Sequence, residues 1–431
     1  MGAAVRYLQG MELRGSSRVK RRRVFYIPGY DPLPSRRYRE LYRKESAKQA
    51  GISGYQIEMK PGDDPTSWKV RSKVEDAQTV ARVDVLVWND IVKQSMSSNL
   101  FATYMQLIGT AWVYLSTGAL RRLSWLAKGP VLAALYPVLM LLGQLAIALV
   151  VAFTIGGFLA QGVTALLGLA GFSTDSLVVA LTGSAVQLTV ALPVALLILR
   201  WFKSKDDKLY AHYLMHDYAF TASRVGAYPP ELESRLEKFR AQVSAALASD
   251  VDEVLIIGHS SGAQLAVSLV SDLIAAKQVP ANGPALSLLT LGQVIPMVSF
   301  LPKADRLRRD LHRLAGNEDI AWVDISAPGD GCSFALSDPV AVTGVAPHAQ
   351  RWPLVLSAAF SNTLSAETKA RLKHRYFRLH FQYLCAFDRP GDYDYFLVTA
   401  GPVTLRERFR RRRASAQRID VAASRFSTMV A

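Results

Sequence analysis

The chain has 431 residues, enough for a catalytic domain interrupted by an insertion or for two domains, and half of its residues are hydrophobic although 51 are Lys or Arg and the formal net charge is +16. A mean hydropathy of +0.14 at that charge content requires apolar and charged residues to be segregated along the sequence, which excludes an evenly mixed soluble chain. The excess of cations does not point to nucleic acid, because no nucleic-acid module is present and the cations gather at the two ends and beside the apolar stretches, where they suit anionic lipid headgroups. Cys332 and Cys385 are the only cysteines, too few for a disulfide framework or a metal cluster, so a reducing compartment and no metal or other cofactor are expected.

Residues 1–97 read as the first part of an α/β domain. "RVFYIPGY" (Arg23 to Tyr30) predicts a strand ending in a Pro-Gly turn, "SRRYRELYRKESAKQAG" a charged helix, "SGYQIEMK" a second strand and "ARVDVLVWNDIV" a third. No apolar stretch of signal-peptide type follows the basic residues of "SRVKRRRVFYIPGY", and export is not expected. Over residues 98–128, Phe101, Met105, Ile108, Trp112 and Leu115 recur at spacings of three and four. Their stripe fits a helix lying at a membrane surface, or one packed on the core.

Residues 129–202 are different in kind. Gly129 to Thr174 contains no charged residue for 46 positions, and Ser176 to Leu199 none for 24. Each run exceeds the roughly 20 residues needed to cross a bilayer. One span is expected near Val131 to Ile155, a glycine-rich connector through Asp175, and a second span near Leu177 to Trp201, with Pro137 and Pro193 tolerated inside them. Arg121, Arg122 and Lys128 precede the hairpin, and Arg200, Lys203, Lys205 and Lys208 follow it, which places both flanks on the cytoplasmic side. A domain split by this insertion reassembles only if both halves lie on one side. The number of spans is therefore even, with two favoured.

Residues 203–405 return to alternating elements. A helix is expected over Pro229 to Ser249, strands over Val254 to Ile257, Leu286 to Leu291 and Ala321 to Ile325, and helices over Gly262 to Ala276 and Ala304 to Ala315. Such alternation predicts a mostly parallel sheet with helices on both faces. Residues 406–431, with the run Arg410 to Arg413, are expected to form a basic, mobile tail.

Between the strand at Val254 and the helix at Gly262 stands Gly258-His259-Ser260-Ser261-Gly262. A strand, a sharp turn and a helix around Gly-x-Ser-x-Gly are the context of a nucleophile elbow, in which side chains at the two glycines would crowd the strand and helix. With this motif the chain resembles the α/β-hydrolase superfamily, interrupted by a transmembrane hairpin. The resemblance covers Arg23 to about Ile91 and Pro229 to about Pro402. It implies Ser260 as nucleophile and a triad in the order serine, acid, histidine.

Of the seven histidines, His212, His216 and His259 precede or adjoin the serine, His259 reading as packing beside the elbow, while His312 and His374 sit in charged helical sequence. His380, in "FRLHFQYL" with Tyr383 three residues on, is the expected base and His348 its fallback. In "AWVDISAPGDGCSF" the loop residue Asp330 is preferred as the acid to Asp324 within the strand, because functional groups collect beyond the carboxyl ends of parallel strands. The resemblance also implies an oxyanion hole built from the amides of Ser261 and of Tyr30, in an early loop where Pro28 stands in place of the family's histidine.

The expected function is that of a membrane-anchored serine hydrolase cleaving an ester, with a lipid or other apolar acyl substrate favoured by location. The bilayer is the expected partner. A non-catalytic membrane scaffold on the same fold, and an acyltransferase using the same triad, are the alternatives.

Overall fold

The computed structural model describes residues 18–74, 76–96 and 99–430. Eight strands, β1 (Arg21–Ile27), β2 (Gln56–Pro61), β3 (Ser67–Val74), β4 (Ala77–Val85), β5 (Glu253–His259), β6 (Ala285–Leu291), β7 (Ile320–Ser326) and β8 (Leu354–Ser357), form one sheet in the order β2-β3-β4-β1-β5-β6-β7-β8. From β4 to β8 every neighbouring pair is parallel, and β2, β3 and β4 pair antiparallel at one edge. The mostly parallel α/β sheet was expected; β3 and β8 were not. β3 alternates charged and apolar residues within "SWKVRSKV", and β8 has only four residues.

β5, β6 and β7 are buried along their lengths, as strands covered on both faces should be. Their register brings distant sequence together. β1 pairs with β5 so that Ile27 lies opposite Gly258, and the loop after β1 therefore reaches the turn after β5. The same seam holds a buried ion pair. Arg22 Nε donates to Glu253 Oε2 at 2.6 Å, its other nitrogens donate to the carbonyls of Gly401 and Val403, and Glu253 Oε1 accepts from Ser287 Oγ and the Leu405 amide, each at 2.7 Å. Four chain segments are thus satisfied by one pair of charges.

The chain falls into two compact units. The sheet unit comprises residues up to Gln94, Val113–Val131 and Thr221 onward; the other comprises Ser95–Trp112 and Leu132–Phe220. In the sheet unit, α1 (Arg36–Ser53) leads from β1 to β2. Residues 406–431 were expected as a mobile tail, but the short helix Leu405–Phe409 begins it and the residues beyond are tied to the domain: Ser415 donates to the carbonyl of Val355, Ile419 to Leu336 and Ala423 to Val342. Leu405 and Phe409 are buried just ahead of them. These anchors are backbone hydrogen bonds, which composition alone conceals.

Two helices, Lys128–Leu169 and Leu177–Ser204, are long and apolar enough to cross a membrane. The expected glycine-rich connector is corrected: Gly156 to Leu169 continues the first helix, and only the short stretch before Leu177 turns the chain. The glycines serve close approach, since a Cβ on Gly156 would lie 2.6 Å from the carbonyl oxygen of Gln187 in the neighbouring helix. At 42 residues the first helix is about 63 Å long, roughly twice a hydrocarbon core. The helix Leu100–Ser116 carries its apolar stripe outward, with Phe101 and Trp112 each 71% exposed and Met105, Ile108 and Leu115 exposed beside them.

Candidate functional site

Ser260 follows the last residue of β5 and adopts φ +57°, the left-handed region that a non-glycine residue enters only where the surroundings hold it there. Its amide is fixed by the carbonyl of Leu291 at 2.9 Å. Gly262 opens the next helix, Gly262–Ala275, and a Cβ there would lie 2.4 Å from the carbonyl oxygens of Ile27 and Pro28. A Cβ on Gly258 would strike Ala263 at 2.6 Å. Both glycines are required by contact, as the motif predicts.

Asp330 lies in the loop after β7. His380 ends the short helix Tyr376–His380. Their side chains meet, His380 Nδ1 to Asp330 Oδ2 at 2.7 Å, and both are buried. Burial pushes the Asp330 carboxyl up, but the charge and hydrogen bond of His380, the Cys332 amide and Ser333 together outweigh it and hold the group below its ordinary range. The carboxylate form is the one favoured. The second ring nitrogen of His380, Nε2, is buried and has no partner among the described residues, as a nitrogen kept for a transient proton would be.

Gly292 links this pair to the serine. It follows Leu291, the acceptor of the Ser260 amide, at φ +50°, and a Cβ on it would meet Tyr383 Cε2 at 2.6 Å, His380 Cε1 at 3.1 Å and Asp330 Oδ2 at 3.3 Å. The dyad therefore packs on the strand end that anchors Ser260.

The fallback residues are not in this constellation. Asp324 is sealed inside β7, takes a hydrogen bond from Thr290 Oγ1 at 2.5 Å and is pushed up to about 8, by burial first and by Asp338 in addition. Among the described residues it bonds no histidine. His348 is exposed in the loop before β8.

The expected oxyanion donors are arranged differently from the expectation. The Tyr30 amide donates to Ser261 Oγ at 2.8 Å. The side chain of Ser261 thus occupies one of the two donors, a consequence of a second serine in the motif. The loop of Tyr30 still lies beside the turn, because a Cβ on Gly29 would be 3.1 Å from Ser260 Cβ.

Three residues of the site escaped the sequence reading. Tyr383 is fully buried, donates to Asp330 Oδ2 at 2.9 Å and accepts the Ala327 amide at 3.0 Å, so it fixes the carboxylate. His259, read as packing, bonds the carbonyl of His380 through Nε2 at 3.0 Å, and its ring lies 4.8 Å from the His380 ring. Burial, with His380 adding to it, lowers His259 to about 3, so it stays neutral. Gly292 is the third. The spacing of Tyr383 from His380 was visible; nothing in the sequence assigned it to Asp330.

Asp330, Cys332 and His380 offer ligand atoms within 4.8 Å of one another. Two of those groups already bond each other, and burial and then Asp330 push the Cys332 thiol far up. The set is a hydrogen-bonded pair with a protonated thiol beside it, and metal binding would have to break the pair. No protein-family model matches the sequence, and no curated protein or solved structure matches it.

Proposed function

We propose that this chain is a membrane-anchored serine hydrolase of the α/β-hydrolase type that cleaves an ester, a lipid or other apolar acyl substrate being favoured. One observation carries the reading: a serine strained to φ +57° on a strand-to-helix turn shares the Gly292 strand end with a buried His380–Asp330 pair whose Nε2 is uncommitted. In this mechanism Ser260 attacks the carbonyl, His380 takes the proton at Nε2 and returns it to the leaving alcohol, and Asp330 steadies the imidazolium. The Ser261 amide holds the oxyanion, joined by the Tyr30 amide once the Ser261 hydroxyl turns away.

The substrate preference rests on the two membrane-length helices and the exposed stripe from Phe101 to Leu115, which would set the domain at a bilayer, on its cytoplasmic side by the charge of the flanks. The test is a fluorophosphonate probe on the detergent-solubilised protein, with the adduct located by peptide mass spectrometry. Labelling at Ser260 that vanishes in Ser260→Ala and His380→Ala is expected. Folded protein that does not label would overturn the reading in favour of a non-catalytic scaffold.

A further inference from the structure

From Lys369 to Arg378 the sequence "KARLKHRYFR" carries five cations and no acid, immediately before His380. Lys369, Arg371, Lys373, Arg375 and Arg378 are all exposed. Elsewhere in the sheet unit the exposed and half-buried arginines are commonly paired, as Arg82 is with Asp63 and Arg235 with Asp90. None of the five is in an ion pair among the described residues. A row of cations without ion-pair partners is self-repelling, and the one side-chain bond within it, among the described residues, is Lys369 Nζ to the Ser361 carbonyl at 3.0 Å. Its charge is available to an anionic partner.

The row does not stand alone. Lys44 and Lys48 of α1 share the surroundings of the Cys385 thiol with Arg371, although burial and Glu45 dominate there and Lys48 lies 3.5 Å from Asp388. Arg37, in the first turn of α1, lies over the ring of Phe381, 5.0 Å from its centre. Within the row Tyr376 is 59% exposed, an aromatic residue of the kind that sits at the level of lipid headgroups.

Its place in the fold selects the partner. A Cβ on Gly331 would lie 3.8 Å from the Tyr376 ring, and a Cβ on Gly129 would lie 3.2 Å from Gly331 Cα. Gly129 begins the 46 charge-free positions, directly after Lys128. The cationic row thus adjoins Lys128 to Val131, the first residues of the longer apolar helix and part of the sheet unit, beside a cavity of about 300 Å³ lined by Lys128, Pro130, Gly331 and Gln417.

We propose that the Lys369–Arg378 face, with the adjoining cations of α1, is a docking surface for anionic lipid headgroups. It holds the sheet unit against an anionic leaflet and sets the His380 side of the site toward it. Near an anionic surface each Lys or Arg strengthens association by about fivefold, and the effect is screened within a Debye length.

The test is hydrogen exchange on the full chain in nanodiscs of phosphatidylcholine alone or with phosphatidylserine, reading peptides that cover residues 366–381. Exchange slowed about tenfold or more in the anionic discs, and restored by high salt, is expected. The slowing disappears when the five cations are replaced by Gln and persists when Arg371, Arg375 and Arg378 are replaced by Lys. Unchanged exchange of the β5 peptide shows that the variants are folded. Equal exchange in both lipids overturns the proposal, as does slowing that survives in the Gln variant. Slowing by added polyphosphate in neutral discs, with none from phosphatidylserine, assigns the face to a soluble polyanion and equally overturns it. The readout does not depend on Ser260 reacting, so its failure and that of the hydrolase reading are distinguishable.

Discussion

Two aspartates six residues apart offer a decisive comparison, because the fold places them in opposite electrostatic states. Asp324 is pushed up to about 8 by burial and, secondarily, by Asp338, with one oxygen unpartnered among the described residues. Unfolded, the same carboxyl titrates near about 3.9. The folded state therefore holds the proton more tightly than the unfolded one, and stability falls as pH rises from about 4 through about 8. Between about pH 6 and about pH 9 this group alone removes roughly 2 to 3 kcal/mol.

Asp324→Asn keeps the shape of the neutral acid and cannot ionise. It should match the parent only near about pH 3, below the unfolded carboxyl's range, exceed it in thermal stability by a margin that grows up to about pH 8, and label at Ser260 as the parent does. Asp330→Asn should do the reverse. Asp330 Oδ2 accepts from both His380 and Tyr383, and an amide that presents N–H there opposes two donors or turns the imidazole to the wrong tautomer. Ester hydrolysis by that variant should fall by about 10⁴, as loss of a triad acid does elsewhere. The assays are thermal melts and fluorophosphonate labelling rates over the same pH series. Loss of labelling in Asp324→Asn with retention in Asp330→Asn would refute the assignment of the acid.

Other variants probe single contacts. Gly292→Ala puts a Cβ 2.6 Å from Tyr383 Cε2 at a left-handed position, and it should cut labelling at Ser260 more than about tenfold in protein that still melts cooperatively. Ser261→Ala releases the Tyr30 amide from its present acceptor, so the hydrolysis rate should hold within a few-fold or rise; a fall of about 10² would show that the hydroxyl itself is the donor. Arg22→Ala leaves Glu253 buried with its charge unpaired, and urea unfolding should register a loss of about 3 to 5 kcal/mol. A loss below about 1 kcal/mol would mean that the seam between β1 and β5 does not depend on the pair.

What could be read in the sequence was local, and what could not depended on contacts across distance. Strand β5, the turn and the helix after it announce themselves in "DEVLIIGHSSGAQLAVSL", because buried strands are continuously apolar and Gly258 is placed by Ala263 and Ala266 close by, whereas the need for Gly262 comes from Ile27 and Pro28 far off in the sequence. The pairing of His380 with Asp330 and not Asp324 was likewise within reach, since it needed only the rule that loops beyond strand ends, not strand interiors, collect polar groups. Tyr383 and Gly292 were out of reach. Their roles arise from β6, the loop after β7 and the helix of His380 meeting in space, and no periodicity encodes that meeting.

The apolar insertion misled for a related reason. Glycines that mark a connector in water are helix-compatible where a neighbouring helix fills the space, as Gln187 does beside Gly156. The second serine of the motif is the sharper lesson, since Ser261 supplies an amide by position and withholds another by chemistry. In the proposed mechanism its hydroxyl would compete with a substrate oxyanion for the Tyr30 donor. On that mechanism only the charged transition state, a stronger acceptor than a neutral hydroxyl, would displace it.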